Sequence, residues 1–257
     1  RIDEVGDPGA PLILQLEGHM AQLIATPSSY CAVLAQRGFR VVRVDNRDVG
    51  GSSRFAGMEY SLMDMARDVH ELLADLGSAA VVCGRSMGGA IAQLLAVDYP
   101  QDVLGLGLFF TYAKEEAAVA HPLPIGQAPF DDEESFLAWE RATLPGIAGS
   151  EHPFSEEYVE WLARTSWARG VDWEGFERQR RAMASTAPWA DRLAEVDVPT
   201  VIVHGEQDMV IPLHRAERLR ELLPGARLQV VPGMGHQQPP ALDELFVVAT
   251  LEALPSG

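Results

Sequence analysis

Gly84-Arg85-Ser86-Met87-Gly88 fits the pattern G-x-S-x-G, which makes Ser86 a candidate nucleophile. The surroundings carry more weight than the five letters. A β-branched run (AVVC) leads in, and a glycine- and alanine-rich stretch suited to a helix leads out. A strand that turns at once into a helix holds the serine at a strained tip. The flanking glycines, with Gly89 after them, let the two elements approach closely. The hydroxyl then projects at the amino end of a helix, where the dipole favours negative charge. The competing reading is an ordinary strand-to-helix turn that happens to contain Ser, and this context outweighs it.

A serine hydroxyl is a weak nucleophile near neutral pH. It needs an imidazole to take its proton and a carboxylate to fix that imidazole's tautomer. After an elbow of this kind the partners follow in the order Ser, acid, His. Among seven histidines, His236 stands out, because Pro232-Gly233-Met234-Gly235-His236 is a glycine-rich loop directly after the last strand. Such a loop can swing an imidazole over the elbow. His204 ends a strand and reads as a satisfied structural residue. His70 lies on a helix, His214 near a helix start, and His121 and His152 in the middle of the chain. Asp208, in His204-Gly205-Glu206-Gln207-Asp208, is the candidate acid, with Glu206 as its rival. Glu206 could instead satisfy loop amides. Asp45 and Asp48 read as turn stabilisers.

Acyl transfer creates an oxyanion that two backbone N–H groups should bind. One is expected from Met87. The other is expected from His19, in the loop Glu17-Gly18-His19-Met20 after the first parallel strand, with its side chain passive. Glu17 and Arg85 should both lie near the site. A lone buried charge is costly, so the two could pair.

The elements that must position these residues alternate. Strands are expected at Leu12–Leu16, Arg40–Val44, Ala79–Cys83, Val103–Phe110, Pro199–His204 and Arg227–Val231. Helices are expected at Ser28–Gln36, Ser61–Leu76, Ser86–Val97, Pro212–Leu223 and Pro240–Leu254. Ser61 can cap its helix and Gly77 can end it. Alternation predicts an α/β fold: a mostly parallel central sheet with helices on both faces. The expected core is 1–112 plus 189–257. Residues 113–188 break the pattern and read as a helical cap over the sheet's carboxyl edge. This insertion carries four tryptophans, of which Trp139, Trp161 and Trp167 are expected to line a pocket for a sizeable apolar substrate.

Bulk composition sets limits. The 257 residues are 47% apolar and 22% charged, enough for one large core. A net charge of −17 argues against nucleic acid or an anionic membrane as partner. Apolar runs are too short to span a bilayer. Residues Arg1–Pro11 hold no signal-peptide apolar run. The absence of Met and the early strand make the start read as interior. Cys31 and Cys83 read as reduced core residues, which suits the cytoplasm. Nothing selects between a monomer and a homodimer.

With these segments in place, the chain resembles the bacterial α/β-hydrolase family that includes aclacinomycin methylesterase. The resemblance rests on Gly6-Asp7-Pro8, Val44-Asp45-Asn46-Arg47-Asp48-Val49-Gly50, the elbow GRSMGGA, Val198–Asp208 and Pro232–His236. It spans nearly the whole chain and is weakest in the insertion. It implies an eight-stranded core, a helical cap, no cofactor or metal, and hydrolysis of carboxylic esters, in one member a polyketide methyl ester. The chain departs from the family around the oxyanion loop. Glu17-Gly18 stands where Met-Gly or His-Gly is common, and Arg85 stands where an apolar residue or His is common. A natural-product ester or macrolide lactone is the expected small-molecule substrate. Two alternatives stay open: the same triad acting on an amide or carbon–carbon bond, and a non-catalytic ligand-binding protein on this scaffold.

Overall fold

The computed structural model describes residues 1–116 and 128–255. The strands are β1 (Ile2–Val5), β2 (Leu12–Leu16), β3 (Arg40–Val44), β4 (Ala80–Arg85), β5 (Val103–Phe109), β6 (Thr200–Gly205) and β7 (Arg227–Val231). They form one sheet in the order β1-β3-β2-β4-β5-β6-β7. Only β1 runs antiparallel to its neighbour; the remaining pairs are parallel. The helices are α1 (Ser28–Gln36), α2 (Leu62–Leu76), α3 (Met87–Asp98), α4 (Glu133–Ile147), α5 (Glu156–Arg169), α6 (Trp173–Ser185), α7 (Leu213–Leu222) and α8 (Asp243–Glu252).

Alternation along each strand explains the two-sided packing. In β2, Leu12, Leu14 and Leu16 join a core with Met65 and Val69 of α2, Ile91 and Leu94 of α3, and Leu219 of α7. Ile13 faces the other way, into a core with Tyr30 and Leu34 of α1 and Phe246 and Val247 of α8. A fully buried aliphatic side chain contributes roughly 1.5–3 kcal/mol, so cohesion is concentrated at β2, β4 and β5. Cys31 and Cys83 are buried in the second core and unbridged.

Local chemistry sets the element ends. Ser61 accepts from the N–H of Asp64, whose carboxylate accepts from the Ser61 N–H in return, and Gly77 closes α2 at φ +68°. The implied eighth strand is not found among the described residues. The sheet has seven strands, because one short strand, β1, forms the whole antiparallel edge against β3. Helices α4, α5 and α6 lie between β5 and β6, in the region read as the insertion. His121 lies outside the described residues. No helix among them is long and apolar enough to cross a membrane.

Candidate active site

Ser86 sits between β4 and α3 with φ +50° and ψ −117°. This left-handed backbone is strained for a side chain bearing a Cβ, and such strain persists only when its surroundings enforce it. Three glycines are part of that enforcement. A Cβ on Gly84 would fall 2.3 Å from the Gly88 carbonyl oxygen, and one on Gly88 2.3 Å from the Leu16 carbonyl oxygen. A Cβ on Gly89 would fall 2.6 Å from Cβ of Thr111. The Ser86 N–H donates to the Phe109 carbonyl at 3.0 Å, and Thr111 Oγ1 donates to the Ser86 carbonyl at 2.7 Å. Sheet and helix thus hold the hydroxyl from both sides.

His236 Nε2 lies 3.0 Å from Ser86 Oγ, and His236 Nδ1 lies 2.7 Å from Asp208 Oδ2. The other oxygen of Asp208 accepts from the N–H groups of Val210 and Ile211 at 2.9 and 2.8 Å. Those donors fix the carboxylate, which in turn fixes the ring. Phe110 meets the imidazole edge-on at 5.0 Å. The loop bearing His236 is tied to α4, since the N–H of His236 donates to the Ile147 carbonyl at 2.7 Å. Of the rivals, Glu206 is exposed and faces the Gly233 N–H at 3.4 Å. His204 is buried and donates through Nε2 to the Ile211 carbonyl at 2.8 Å. Burial keeps it neutral by lowering its pKa. His70 stacks on Tyr99 and bonds Asp102, away from Ser86.

The loop after β2 passes close over the elbow. A Cβ on Gly18 would sit 3.2 Å from Ser86 Cβ. Among the described residues, no protein acceptor is found for the N–H of His19 or of Met87. The His19 ring turns toward α6, where Nε2 donates to the Phe176 carbonyl at 2.8 Å. Burial lowers its pKa, so the ring is neutral at pH 7. Gln179, also on α6, accepts from the Met20 N–H at 3.0 Å and holds the loop from the same direction. Sequence reasoning did not single out Gln179, because its partner is 159 residues away.

Arg85 and Glu17 are both buried but only loosely paired, at 3.9 Å. Arg85 donates instead to Gln15 Oε1 at 2.9 Å and to Gln238, and its guanidinium lies over the Tyr30 and Phe109 rings. Burial pushes the Glu17 carboxyl up, against the pull of Arg85, while Thr26 donates its hydroxyl to it.

A cavity of about 320 Å³ opens above Ser86 and His236. Its roof is the face of α4 and α5 that looks down on the elbow. Trp139 lines it, together with Glu17 and Arg85. Trp161 and Trp167 do not. On α5 the residues facing the cavity are Tyr158, Leu162 and Ser166, a stripe at i, i+4 and i+8. Trp161, one position off, is 44% exposed and packs on Tyr158. Trp167, one position off on the other side, packs on Phe130 and Phe136.

Residues 28–238 match the family model described as the alpha/beta hydrolase fold. The chain belongs to the α/β-hydrolase family. Rhodomycin D methylesterase of Streptomyces sp. (strain C5) is 30% identical, over 95% of this chain and 91% of the relative. The rhodomycin D methylesterase of Streptomyces peucetius is 29% identical over the same shares. The solved structure of an enol-lactonase from Burkholderia xenovorans superposes with a TM-score of 0.76 at 21% identity. That superposition covers 98% of this chain and 95% of the lactonase, and it bears on the fold alone.

In this α/β hydrolase the loop DNRDVG does more than stabilise its own turn. Asp45 accepts from the N–H groups of Leu23 and Gly51 and pairs with Arg169 of α5 at 2.6 Å. Asp48, fully buried, pairs with Arg178 of α6 at 2.8 Å and accepts from Tyr60 and the Phe55 N–H. Burial opposes the Asp48 charge, yet those hydrogen bonds together hold its carboxyl below the ordinary range. The loop is therefore a strap between the sheet and the helices above it.

Proposed function

We propose that the protein is a serine esterase working through an acyl-enzyme on Ser86. The observation that carries this reading is the unbroken hydrogen-bonded line Ser86–His236–Asp208 at the floor of an apolar cavity. His236 takes the proton of Ser86 as its oxygen attacks the ester carbonyl. The N–H groups of His19 and Met87 receive the oxyanion. His236 then protonates the leaving alcohol, and water repeats the sequence on the acyl-enzyme. Asp208 holds the tautomer and steadies the imidazolium. Helices α4 to α6, within the proposed cap 113–188, enclose the acyl or alcohol part.

The cavity size and aromatic roof suit a bulky apolar ester, and the named activity of the methylesterase relatives points the same way. The substrate class is a natural-product ester or macrolide lactone. Buried, unbridged cysteines suit the reducing cytoplasm. The test is labelling by a fluorophosphonate probe, expected for the wild type and lost in Ser86→Ala. A panel of bulky esters, macrolide lactones and small acetyl esters then ranks substrates. Labelling that persists in Ser86→Ala sinks the nucleophile, and a dominant preference for acetyl esters sinks the bulky substrate.

A further inference from the structure

The geometry points to a cation-binding subsite in the cavity roof: Glu140 receives a positively charged amine carried by the ester substrate. This rests on the esterase reading and narrows its substrate class.

The subsite lies on helix α4. Phe136, Trp139, Glu140, Thr143, Leu144 and Ile147 line the cavity at i, i+3, i+4, i+7, i+8 and i+11. That is one continuous helix face. Glu140 is its only charged residue, at a position where an enclosing helix would ordinarily carry an aliphatic side chain. Among the described residues it makes no hydrogen bond and no ion pair. Cations lie nearby but are committed elsewhere. Arg141 pairs with Glu156 and Glu160, and Arg164 with Glu133, Glu134 and Glu160, a separate network of partly exposed side chains. Arg85, the guanidinium in the cavity lining, is held by Gln15 and Gln238.

A carboxylate held in an apolar wall without a partner is costly to keep charged. Its burial pushes the carboxyl up to about 7, with no opposing charge to bring it down. A positively charged group from outside removes that penalty. The surroundings suit an organic cation rather than a hydrated metal ion. Phe136, Trp139, Phe154 and Tyr158 present ring faces or edges to the same space, and aromatic faces attract alkylammonium groups. The net charge of −17 concentrates cations around the molecule and so favours their entry.

The test uses two esters of the same shape that differ in charge, benzoylcholine and 3,3-dimethylbutyl benzoate, at pH 8. The wild type should show a higher kcat/KM for the choline ester. In Glu140→Gln the ratio between the two should fall about tenfold, and Glu140→Asp should retain part of the preference. An unchanged ratio in a folded Glu140→Gln protein, verified by circular dichroism, overturns the subsite and leaves the esterase reading standing. A second arm does not depend on turnover. Phenyltrimethylammonium binding, followed by calorimetry in Ser86→Ala, should weaken at least about fivefold when Glu140→Gln is added. Equal binding overturns the subsite. If neither ester is hydrolysed and fluorophosphonate leaves Ser86 unlabelled, the esterase reading falls, and the binding arm alone decides on Glu140.

Discussion

The floor and the roof of the cavity are built on opposite principles. On the floor, polar side chains are over-determined. Asp208 has donors on both oxygens, His236 is held at both ring nitrogens, and Ser86 is fixed through its backbone on both sides. In the roof, apolar side chains set the shape, and two of the polar groups among them are unmatched: Glu140 has no partner among the described residues, and the buried Tyr158 hydroxyl has none either. A matched polar group is fixed before substrate arrives, which suits chemistry. An unmatched one is satisfied only by what enters, which suits selection. Substitutions on the floor should therefore cost rate. Substitutions in the roof should shift preference, or stability.

The sharpest break between the two regions is expected from the floor. Ser86→Ala or His236→Ala should lower kcat at least about 10³-fold on any ester, with the fold unchanged. Steady-state kinetics and thermal unfolding together measure this. Residual turnover within tenfold of the wild type would remove the floor from the chemistry and erase the contrast.

The two regions also differ in how far they could be read from the sequence. The floor was legible because its constraints are local. The spacing of glycines around Ser86, the carboxylate just past the end of β6 and the histidine in the loop after β7 all follow from where chain segments must turn. The chain brings these three together. The roof depends on helix register and distant partners. Trp139, Trp161 and Trp167 stand out in the sequence by residue type, but the face each presents is decided by the packing of α4 and α5. Glu140 sits among other acidic residues of the same stretch. Only its place in the 136–147 stripe sets it apart. Arg85 could be expected to need a partner, but Gln15 and Gln238 could not be named, being 70 and 153 residues away. Likewise, Asp48 read as a turn residue because Arg178 lies 130 positions along the chain.

The strap joining floor and roof should show its effect in stability. Arg178→Ala leaves the Asp48 carboxylate buried with its charge no longer matched. Breaking a buried pair in this way costs about 3–5 kcal/mol, and at this chain length that corresponds to a fall in Tm of roughly 6–20 °C. Because the Asp48 carboxyl is held below its ordinary value, its contribution is present above the unfolded carboxylate range and lost as pH falls through the folded value. The deficit of Arg178→Ala should therefore be largest near pH 7 and shrink in acid. Scanning calorimetry from pH 7 down to pH 2 tests this. An equal deficit at both ends would mean that packing, not charge, is what was lost.

Glu140 should behave in the opposite sense. Its carboxyl is raised to about 7 from an ordinary 4.5, so the folded state binds the proton more tightly. Stability from this group is complete below about pH 4.5 and is lost as pH rises toward 7. Glu140→Gln, which carries no charge, should match the wild type at pH 4 and exceed it at pH 8. The excess should be about 1–3 kcal/mol, the upper figure assuming no screening by water in the cavity. The other titratable groups facing this space are Glu17, His19, Arg85, Tyr158 and His236, and they are common to both proteins. Denaturant unfolding of the pair at the two pH values gives the difference directly. A Gln variant no more stable at pH 8 would show that the roof already solvates its carboxylate.

The smallest effect is expected at Tyr158. Its hydroxyl is buried without a partner, and burial raises its pKa, so it stays protonated. A buried polar group left unsatisfied costs about 1–3 kcal/mol, and replacing it with an apolar group of the same shape can be neutral or stabilising. Tyr158→Phe should thus leave the unfolding free energy unchanged or raise it by up to about 1 kcal/mol. Its consequence for a bulky ester should fall on KM, by a few-fold, with kcat held, because Tyr158 lines the cavity and makes no hydrogen bond to Ser86 or His236. A loss of kcat comparable to that of a floor substitution would place Tyr158 with the fixed groups. The division between a matched floor and an unmatched roof would then have to be redrawn through α5.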